Sequence, residues 1–425
     1  MEKIAIVNGV RTPFVKAWDA FDNIPAQKLG ALCVTELLQR AELDSRLVDE
    51  VIIGCVGQPS ETANVARVIS LLAGLPQETR AYTVSRNCAS GFEAVTSAAE
   101  KIRCGVEGIV VAGGTESMSN MPMLFSKEAA TLFLKLSRAK TFPGKLKIIA
   151  QMRPWHFAPT PSLLRGLTDP VCGLNMGQAA EVLAKDFAIS REDQDRFALE
   201  SHLRACGAAE KFREETMDVL VPPAYRVCVR DDSGVRKNQT YEALQKLKPL
   251  FERRTGTVTA GNASQVTDGA CALLLMGEGK AKELGLEPLG YLRDYVYVGL
   301  EPSRMGLGPV FAIEKILKRN SMRLQDIDLF EINEAFAAQV LACLRALACG
   351  EFAKKYFPSG IPVGEIPREI LNVNGGAISL GHPVGTSGAR LVLTCLKEMK
   401  RRSLRRGLVT ACVGGGQGAA LILER

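Results

Sequence analysis

The second half of this chain repeats the pattern of apolar runs found in the first half, and this internal duplication limits the folds open to it. The run Asp328–Ile332 resembles Asp49–Ile53, and Gly407–Cys412 resembles Gly108–Gly113. Each run is short and apolar, as is typical of a strand covered on both faces. The repeat therefore predicts two α/β units packed about a pseudo-twofold axis.

The duplication also pairs two residues that could carry chemistry. In the first half, a β-prone run leads through small residues to Cys88 and then to a helix predicted over Phe92–Ile102. In the second half, the run Ile370–Asn374, several glycines and a helix predicted over Gly388–Lys400 follow in the same order. His382 then takes the place of Cys88. A pseudo-twofold packing would bring both helix starts toward one central cleft.

Predicted strands and helices alternate along the chain, as in an α/β protein whose buried strands are covered by helices on both faces. In the first half, the predicted strands are Lys3–Asn8, Glu50–Gly54 and Gly108–Ala112, and the predicted helices are Pro25–Ala41 and Asn64–Leu72. Prolines interrupt this alternation of strands and helices from about residue 120 to residue 251. We interpret 121–251 as an inserted loop domain, 1–120 with 252–278 as the first half, and 279–425 as the second half.

Within the insertion, Ser190–Lys211 is predicted to be a helix because Ser190 is a good N-cap with Asp193 three residues later. Sheet character returns over 255–276, with a buried strand expected at Ala270–Met276.

Composition excludes several classes of protein. A net charge of +7 comes without a basic tail or repeat, so nucleic acid is not an expected partner. The 12 cysteines include no Cys-x-x-Cys pair, which argues against a disulfide scaffold and against a metal site. Reduced thiols favour a cytoplasmic location. No apolar run approaches the roughly 18–20 residues that span a bilayer.

Cys88 lies where a predicted strand turns into a helix. A thiol there faces the first free N–H groups and the positive dipole end of the helix, both of which lower a thiol pKa. The thiolate is the form that attacks carbon. The alternative is a buried Cys in an apolar core, and this segment alone does not decide between the two.

Three other residues lie at comparable junctions. His382 is one of only three histidines and lies among the glycines of Asn374–Gly388, where the backbone can approach a ligand closely. Cys412 ends an apolar run just before a glycine-rich turn, and Asn333 follows another such run. The alternative for Cys412 is a turn with a buried thiol, and the alternative for Asn333 is a helix N-cap.

Taken together, these motifs resemble the thiolase family over nearly the whole chain. Their order and joint presence make the resemblance specific. The motifs that match are Asn87–Gly91, Gly113–Met118, Gly256–Ser264, Asn333–Phe336, Gly381–Pro383 and Cys412–Gly416. The resemblance implies a thiolase-like fold, in which two duplicated halves form a layered α-β-α-β-α core. It also implies Claisen chemistry on 3-ketoacyl-CoA through an acyl group on Cys.

The resemblance implies a role for each candidate residue. Cys88 corresponds to the nucleophile, and His382 to the base that activates it and donates to the thioester oxygen. Cys412 corresponds to the acid/base that moves the proton at C2 of acetyl-CoA. Asn333 corresponds to the residue that fixes a water in one oxyanion hole with His382, while the N–H groups of Cys88 and Gly414 correspond to the second hole.

The resemblance also implies the ligands and the assembly. Ser264, with Ala263 beside it, corresponds to the position that contacts the pantetheine part of CoA. Coenzyme A and acyl-CoA are then substrates, contacted in part by the inserted domain, and no cofactor is expected to be bound permanently. Thiolases are commonly dimers or dimers of dimers, so a homodimer or a higher oligomer is expected.

Two departures from the short-chain biosynthetic pattern point to a subtype. Asn175-Met-Gly177 replaces the usual His-Met-Gly, and the insertion contains an extra stretch, Met121–Phe157, rich in apolar and basic residues. Both resemble the thiolase subunit of the trifunctional-type fatty-acid oxidation complex, which implies longer 3-ketoacyl substrates. The extra stretch is then a docking segment for a hydratase/dehydrogenase subunit or for a membrane surface, or else a lid over the acyl tunnel.

Three alternatives stay open at this stage. One is a biosynthetic acetoacetyl-CoA thiolase, and another is a non-catalytic lipid-binding relative. The third is a 3-ketoacyl-carrier-protein synthase, which shares the duplicated fold but lacks the glycine-rich tail that follows Cys412.

Overall fold

The computed structural model describes residues 2–425. Its strands, in chain order, are β1 (Ile4–Arg11), β2 (Val15–Lys16), β3 (Glu50–Gly54), β4 (Arg80–Val84), β5 (Ile109–Glu116), β6 (Met123–Leu124), β7 (Thr160–Pro161), β8 (Val219–Leu220), β9 (Cys228–Val229), β10 (Thr267–Gly277), β11 (Gly290–Gly299), β12 (Leu329–Ile332), β13 (Arg406–Val413) and β14 (Gln417–Glu424).

Helices cover the strands and also occur between β5 and β10. In chain order they are α1 (Ala26–Arg40), α2 (Val65–Leu72), α3 (Ser90–Arg103), α4 (Lys127–Arg138), α5 (Phe142–Ile149), α6 (Ser162–Gly166), α7 (Met176–Asp186), α8 (Arg191–Gly207), α9 (Ala209–Phe212), α10 (Tyr241–Gln245), α11 (Glu278–Glu283), α12 (Gly308–Arg319), α13 (Ala337–Ala348), α14 (Gly350–Tyr356), α15 (Ala377–Leu380) and α16 (Ser387–Arg402).

The sheet shows the duplication directly. Its strand order is β12-β13-β14-β11-β1-β10-β5-β3-β4, with β2 paired to β10. The two halves join where Ile4–Ile6 pair antiparallel with Gly290–Leu292. Outward from this joint, the first half continues as β1, β10, β5 and β3, and the second half continues as β11, β14, β13 and β12. Neighbouring strands have the same parallel or antiparallel orientation in the two series. The predicted pairing of two α/β units is confirmed.

Helices α3 and α16 pack against each other between the two halves of the sheet. The central core combines Phe92 of α3 and Leu393 of α16 with Val110 of β5 and Val409 of β13. Helices α1 and α2 cover the outer face of the first half, and α12 and α13 cover that of the second. Each fully buried apolar side chain of this kind contributes about 1.5–3 kcal/mol. The predicted α-β-α-β-α layering is confirmed.

One predicted strand is wrong. Ile370–Asn374 forms no strand, and only an isolated parallel bridge joins Leu371 to Phe330. Asn372 ends the extended path with φ at +45°, and its side-chain amide takes over the pairing with Ile332, at 2.8 Å to the N–H and 2.9 Å to the carbonyl oxygen. In the second half, the side-chain amide of Asn372 therefore makes the hydrogen bonds that a strand equivalent to β4 would make with its backbone.

Another predicted strand is too short. The run predicted to end at Ala112 continues as β5 to Glu116 because Gly113 and Gly114 pair with β10 as strand residues. A Cβ on Gly113 would come 2.0 Å from the carbonyl oxygen of Cys271, and one on Gly114 would come 2.1 Å from that of Gly385. These glycines therefore allow close packing of neighbouring backbone and do not mark a turn.

Between β5 and β10, the structure confirms the capping box of Ser190 with Asp193, although α8 ends at Gly207 and the short α9 follows. The stretch Met121–Phe157 contains two helices, α4 and α5, and a 3-10 turn at Pro154–Phe157. Within residues 2–425, no helix has both the length and the hydropathy to cross a membrane.

Candidate active site

Cys88 lies in a tight turn between β4 and α3. The preceding residue, Asn87, has φ at +45°, and Ser90 closes the turn. The Ser90 hydroxyl accepts a hydrogen bond from the N–H of Arg86 at 2.8 Å and donates one to the carbonyl oxygen of Asn87 at 2.7 Å. Cys88 is thus held two residues before the first residue of α3, as the sequence predicts.

The thiol of Cys88 is not the activated thiolate that the sequence predicts. Burial raises its pKa above the ordinary value, and the negative charge of Glu116 adds to this rise. The N–H groups of Gly414 and of Cys88 itself lower the pKa, but by less. Because desolvation exceeds the stabilising effect of these donors, Cys88 needs a base to become a nucleophile.

The starts of α3 and α16 meet, as the duplication predicts. A Cβ on Gly91 would come 2.5 Å from the backbone nitrogen of Ala389, and one on Gly388 would come equally close to that of Phe92. Only glycines allow this approach. It places the turn that holds Cys88 beside the loop that precedes α16.

His382 lies in that loop, between α15 and α16. Its Nδ1 is 2.5 Å from the hydroxyl oxygen of Ser387, and its Nε2 is 3.4 Å from Nδ2 of Asn333. Burial lowers the pKa of His382 to about 4, and the positive charge of Arg390 contributes to the shift. The imidazole is therefore neutral at pH 7, which is the form that can accept a proton.

Asn333 follows β12, and its N–H donates to the carbonyl oxygen of Thr410 at 2.9 Å. The side-chain Oδ1 is buried, yet it has no hydrogen-bond partner among the residues that the structure describes. A buried acceptor without a partner costs free energy, so this oxygen is suited to a water or a substrate group. The alternative interpretation of Asn333 as a helix N-cap does not hold, since α13 begins at Ala337.

Cys412 is buried near the end of β13. Burial raises the pKa of its thiol well above the ordinary value, and the nearby thiol of Cys88 raises it further. The two thiols therefore lie near each other. After Cys412, the glycine-rich turn brings the carbonyl oxygen of Gly414 within 2.7 Å of Nδ2 of Asn87.

Ser264 and Ala263 border the same region. The N–H of Ser264 donates to the carbonyl oxygen of Ala335 at 2.9 Å, and Ala263 forms a bridge with Phe336. Ala263 also belongs to a small apolar cluster that contains Cys412. The structure thus brings together all the residues predicted for the site.

Two buried carboxylates hold this arrangement, and the sequence analysis missed both. Glu116 accepts hydrogen bonds from the N–H groups of Gly57 at 2.7 Å and Gly385 at 2.8 Å, so β5 anchors the loop of His382. Glu334 accepts from Ser201 at 2.7 Å and from Asn372 at 2.9 Å. Acidic residues inside otherwise apolar or glycine-rich motifs were the available signal, because a buried carboxylate requires several donors.

Ser387 and Asn87 were also missed, although Asn87 lies within a motif and Ser387 within the glycine-rich run Asn374–Gly388. Ser387 comes five residues after His382, and Asn87 directly precedes Cys88. Within residues 2–425, no group of three or more His, Cys, Asp or Glu side chains could hold a metal ion. The site therefore offers thiol, imidazole, amide and backbone N–H groups as its chemistry.

Comparison with known proteins agrees with this geometry. The family described as "Thiolase, N-terminal domain" matches residues 4–279, and "Thiolase, C-terminal domain" matches residues 286–425. A protein named 3-ketoacyl-CoA thiolase from Pseudoalteromonas translucida is 42% identical over 427 residues, which cover 100% of this chain and 97% of the relative. A protein of the same name from Pectobacterium carotovorum is also 42% identical, with the same coverage.

Solved structures give the same result. An acetyl-CoA acetyltransferase from Bacillus anthracis is 37% identical with a TM-score of 0.87, covering 100% of this chain and 99% of that chain. Human mitochondrial 3-ketoacyl-CoA thiolase in complex with CoA is 34% identical with a TM-score of 0.85, covering 100% and 98%. From the duplicated fold, the convergent site and these matches over the full length, the chain belongs to the thiolase family.

Proposed function

We propose that this protein is a 3-ketoacyl-CoA thiolase, an acyltransferase that uses CoA to cleave 3-ketoacyl-CoA into acetyl-CoA and a shortened acyl-CoA in fatty-acid β-oxidation. The observation that carries the proposal is the convergence of Cys88, His382 and Cys412 at the junction of the two halves. The 42% identity to proteins of this name over the full chain supports the substrate class.

In the first step, the Cys88 thiol gives its proton to the neutral His382 and attacks the C3 carbonyl of the substrate. The oxyanion that forms lies on the N–H groups of Cys88 and Gly414, the same donors that lower the pKa of the Cys88 thiol. The C2–C3 bond then breaks. The acyl group stays on Cys88, and the electron pair remains on the acetyl-CoA enolate.

The enolate oxygen is held by His382 and by a water fixed on Asn333, whose Oδ1 is an open acceptor. Cys412 donates its proton to C2 and so produces acetyl-CoA. Its pKa, raised by burial, keeps this thiol protonated at neutral pH until a strongly basic carbanion appears beside it.

In the second step, the Cys412 thiolate takes the proton of the incoming CoA thiol. The CoA thiolate attacks the thioester on Cys88, the shortened acyl-CoA leaves, and the proton on His382 returns to Cys88. Every group ends in its starting protonation state. Ser264 and Ala263 border the entrance of the pantetheine arm in this proposal.

The stretch Met121–Phe157, which we call the helical hairpin, is proposed to dock on an anionic membrane surface. It contains seven basic residues and one acidic residue, a net charge of +6 against +7 for the entire chain. Phe142, Leu146 and Ile149 form a stripe along α5 and are 76%, 56% and 50% exposed. An exposed apolar stripe among cations suits an interfacial helix on anionic lipid.

The assembly is proposed to be a homodimer or a higher oligomer. A hydratase/dehydrogenase subunit is a further proposed partner. The 12 free thiols support a reducing compartment such as the cytoplasm.

One observation favours a second candidate, a biosynthetic acetoacetyl-CoA thiolase. The acetyl-CoA acetyltransferase of Bacillus anthracis matches the chain at a TM-score of 0.87. Against it, Asn175 stands where short-chain biosynthetic thiolases usually carry His, and its side chain caps α7 by accepting from Gln178 at 2.9 Å. Rates of thiolysis on a ladder of 3-ketoacyl-CoA lengths separate the two, because the degradative enzyme is expected to prefer chains longer than acetoacetyl.

The proposed function is tested by mixing the protein with acetyl-CoA and locating the adduct by mass spectrometry. An acetyl group on Cys88 is expected, and Cys88→Ala is expected to abolish both the adduct and turnover. His382→Ala is expected to lower loading sharply, since the thiol then lacks its base. An active Cys88→Ala enzyme, or an adduct on another Cys, contradicts the assignment, and a complete absence of adduct supports a non-catalytic relative.

A further inference from the structure

The hydroxyl of Ser387 contacts the ring nitrogen of His382 that lies opposite Asn333. Ser387 is the first residue of α16 and is buried, and its Oγ lies 2.5 Å from Nδ1 of His382. The same oxygen lies 3.2 Å from the carbonyl oxygen of Pro383. A hydroxyl has one proton and can give it to only one of these two acceptors.

The other side of the imidazole decides the matter. Nε2 of His382 lies 3.4 Å from Nδ2 of Asn333, and an amide nitrogen can only donate. This contact requires a lone pair on Nε2, so the ring proton is on Nδ1. Nδ1–H then donates to Ser387, whose own hydroxyl donates to Pro383. One tautomer satisfies all three contacts, and the other satisfies neither the Asn333 contact nor the Pro383 contact.

Helix capping does not account for Ser387. The N-cap of α16 is Thr386, and no side chain caps this helix. The hydroxyl of Thr386 donates to the carbonyl oxygen of Gly269 at 2.9 Å and fixes the loop to β10. The Ser387 hydroxyl therefore has no partner other than His382 and the loop carbonyl within the described chain.

We propose that Ser387 is a positioning residue that holds His382 with its proton on Nδ1 and with Nε2 unprotonated. The kinetic consequence rests on the proposed function, because the transfer of the Cys88 proton is the step that requires this lone pair. The tautomer itself does not depend on that function. In the step, the proton of the Cys88 thiol moves to Nε2, and the imidazolium that forms keeps its Nδ1–H bond to Ser387.

The test combines a spectroscopic measurement with a kinetic one. Nitrogen-15 labelling of the three histidines distinguishes protonated from unprotonated ring nitrogens by NMR, and His382→Gln assigns the signals of His382. The variants are Ser387→Ala, which removes the hydroxyl, and Ser387→Thr, which keeps it. Ser70→Ala is the matched control, because Ser70 is a buried serine of α2 whose hydroxyl has no partner in the described structure.

We expect the Nδ1–H form in the wild-type protein, in Ser387→Thr and in Ser70→Ala, and a shift toward the Nε2–H form in Ser387→Ala. Among the three variants, only Ser387→Ala should load Cys88 from acetyl-CoA more slowly, by about 10-fold or more. This decrease is a part of the roughly 100- to 10,000-fold rate acceleration that general acid–base catalysis supplies. Far-ultraviolet circular dichroism and thermal unfolding check that the variants are folded.

Three outcomes overturn the proposal: a wild-type His382 protonated on Nε2, an unchanged tautomer in Ser387→Ala, or a shifted tautomer with loading at the normal rate. A wild-type protein that never loads overturns the proposed function instead, and the nitrogen signals then decide the role of Ser387 alone.

Discussion

Asn87 donates a hydrogen bond of 2.7 Å from its side chain to the carbonyl oxygen of Gly414, which is 327 residues away. Asn87 directly precedes Cys88, and Gly414 comes two residues after the second thiol, Cys412. The bond therefore connects the turn that holds Cys88 to the turn after Cys412, whose Gly414 N–H lowers the pKa of the Cys88 thiol. It ties the two duplicated halves together at the point of the chemistry.

Asn87→Gly tests the contribution of this hydrogen bond between the two halves. Glycine adopts the φ of +45° without strain, so the variant removes the hydrogen bond and keeps the backbone. We expect the free energy of unfolding to fall by about 0.5–1.5 kcal/mol. The value of kcat/KM should fall by about 10-fold or more, because misplaced catalytic groups can cost about 100-fold. Steady-state kinetics and denaturant unfolding measure both, and full activity in a folded variant would show that Gly414 is positioned without Asn87.

Cys412→Ala separates the two thiols by function. The variant keeps Cys88 and its base, so we expect an acetyl group to load on Cys88 while thiolysis and condensation are blocked. The physical reason is that proton transfer at carbon needs an acid next to C2, and alanine has no proton to give. Intact-protein mass spectrometry measures loading, and thiolysis of a 3-ketoacyl-CoA measures turnover. Loss of loading in a folded variant would show that Cys412 also acts on Cys88.

The buried histidines predict an acid-sensitive fold. Burial lowers the pKa of His202 and of His382 to about 4, from an ordinary value of 6.5. Between pH 6.5 and 4, the unfolded chain binds protons that the folded chain excludes. Stability is therefore complete above pH 6.5 and declines as the pH falls toward 4. Each histidine accounts for roughly 3 kcal/mol of this loss.

His202→Gln measures one of these contributions. Nδ1 of His202 accepts a hydrogen bond from the N–H of Arg236 at 3.3 Å, and a glutamine oxygen is also an acceptor but does not titrate. We expect the variant to lose less stability between pH 6.5 and 4 than the wild type, by denaturant unfolding at a series of pH values. Equal losses in both proteins would place the acid sensitivity elsewhere.

Replacing Phe142, Leu146 and Ile149 with serine tests membrane docking by the helical hairpin. These side chains are largely exposed, so the variant should fold and keep its activity on a short 3-ketoacyl-CoA. Sedimentation with vesicles that contain anionic phosphatidylglycerol should fall, and sedimentation with neutral phosphatidylcholine should be weak in both proteins. Lys145→Glu with Lys147→Glu should reduce binding to the anionic vesicles as well.

A matched control replaces three equally exposed apolar residues outside the hairpin, Leu72, Val106 and Ile361, with serine. This control should bind vesicles like the wild type. Loss of co-purification with a hydratase/dehydrogenase subunit, with vesicle binding intact, would identify a partner subunit as the occupant. Loss of long-chain activity alone would identify the hairpin as a substrate lid.

The structure also determines which hairpin residues to change. Four other apolar residues of the hairpin are Phe125, Leu132, Phe133 and Leu136. Phe133, however, is packed edge-to-face between Phe125 and Phe157, at 5.5 and 6.0 Å between ring centres. Leu132 and Leu136 are half-buried. Changing these residues would remove packing contacts within the hairpin as well as apolar surface.

The sequence alone determined the duplicated halves and the positions of Cys88, His382 and Cys412. Local patterns suffice for these features because apolar periodicity and glycine-rich junctions mark where strands end and helices begin. The bounds of β3 followed directly from such a pattern, since Glu50–Gly54 was both the predicted and the observed strand.

Only the tertiary structure decided the protonation chemistry. The sequence predicted a lowered pKa for Cys88 from the helix end, but burial raises it. Desolvation depends on every atom packed around a group, and those atoms come from distant parts of the chain. The same holds for the contacts of His382 with Asn333 and of Asn87 with Gly414, which exist only once the two halves have closed on each other.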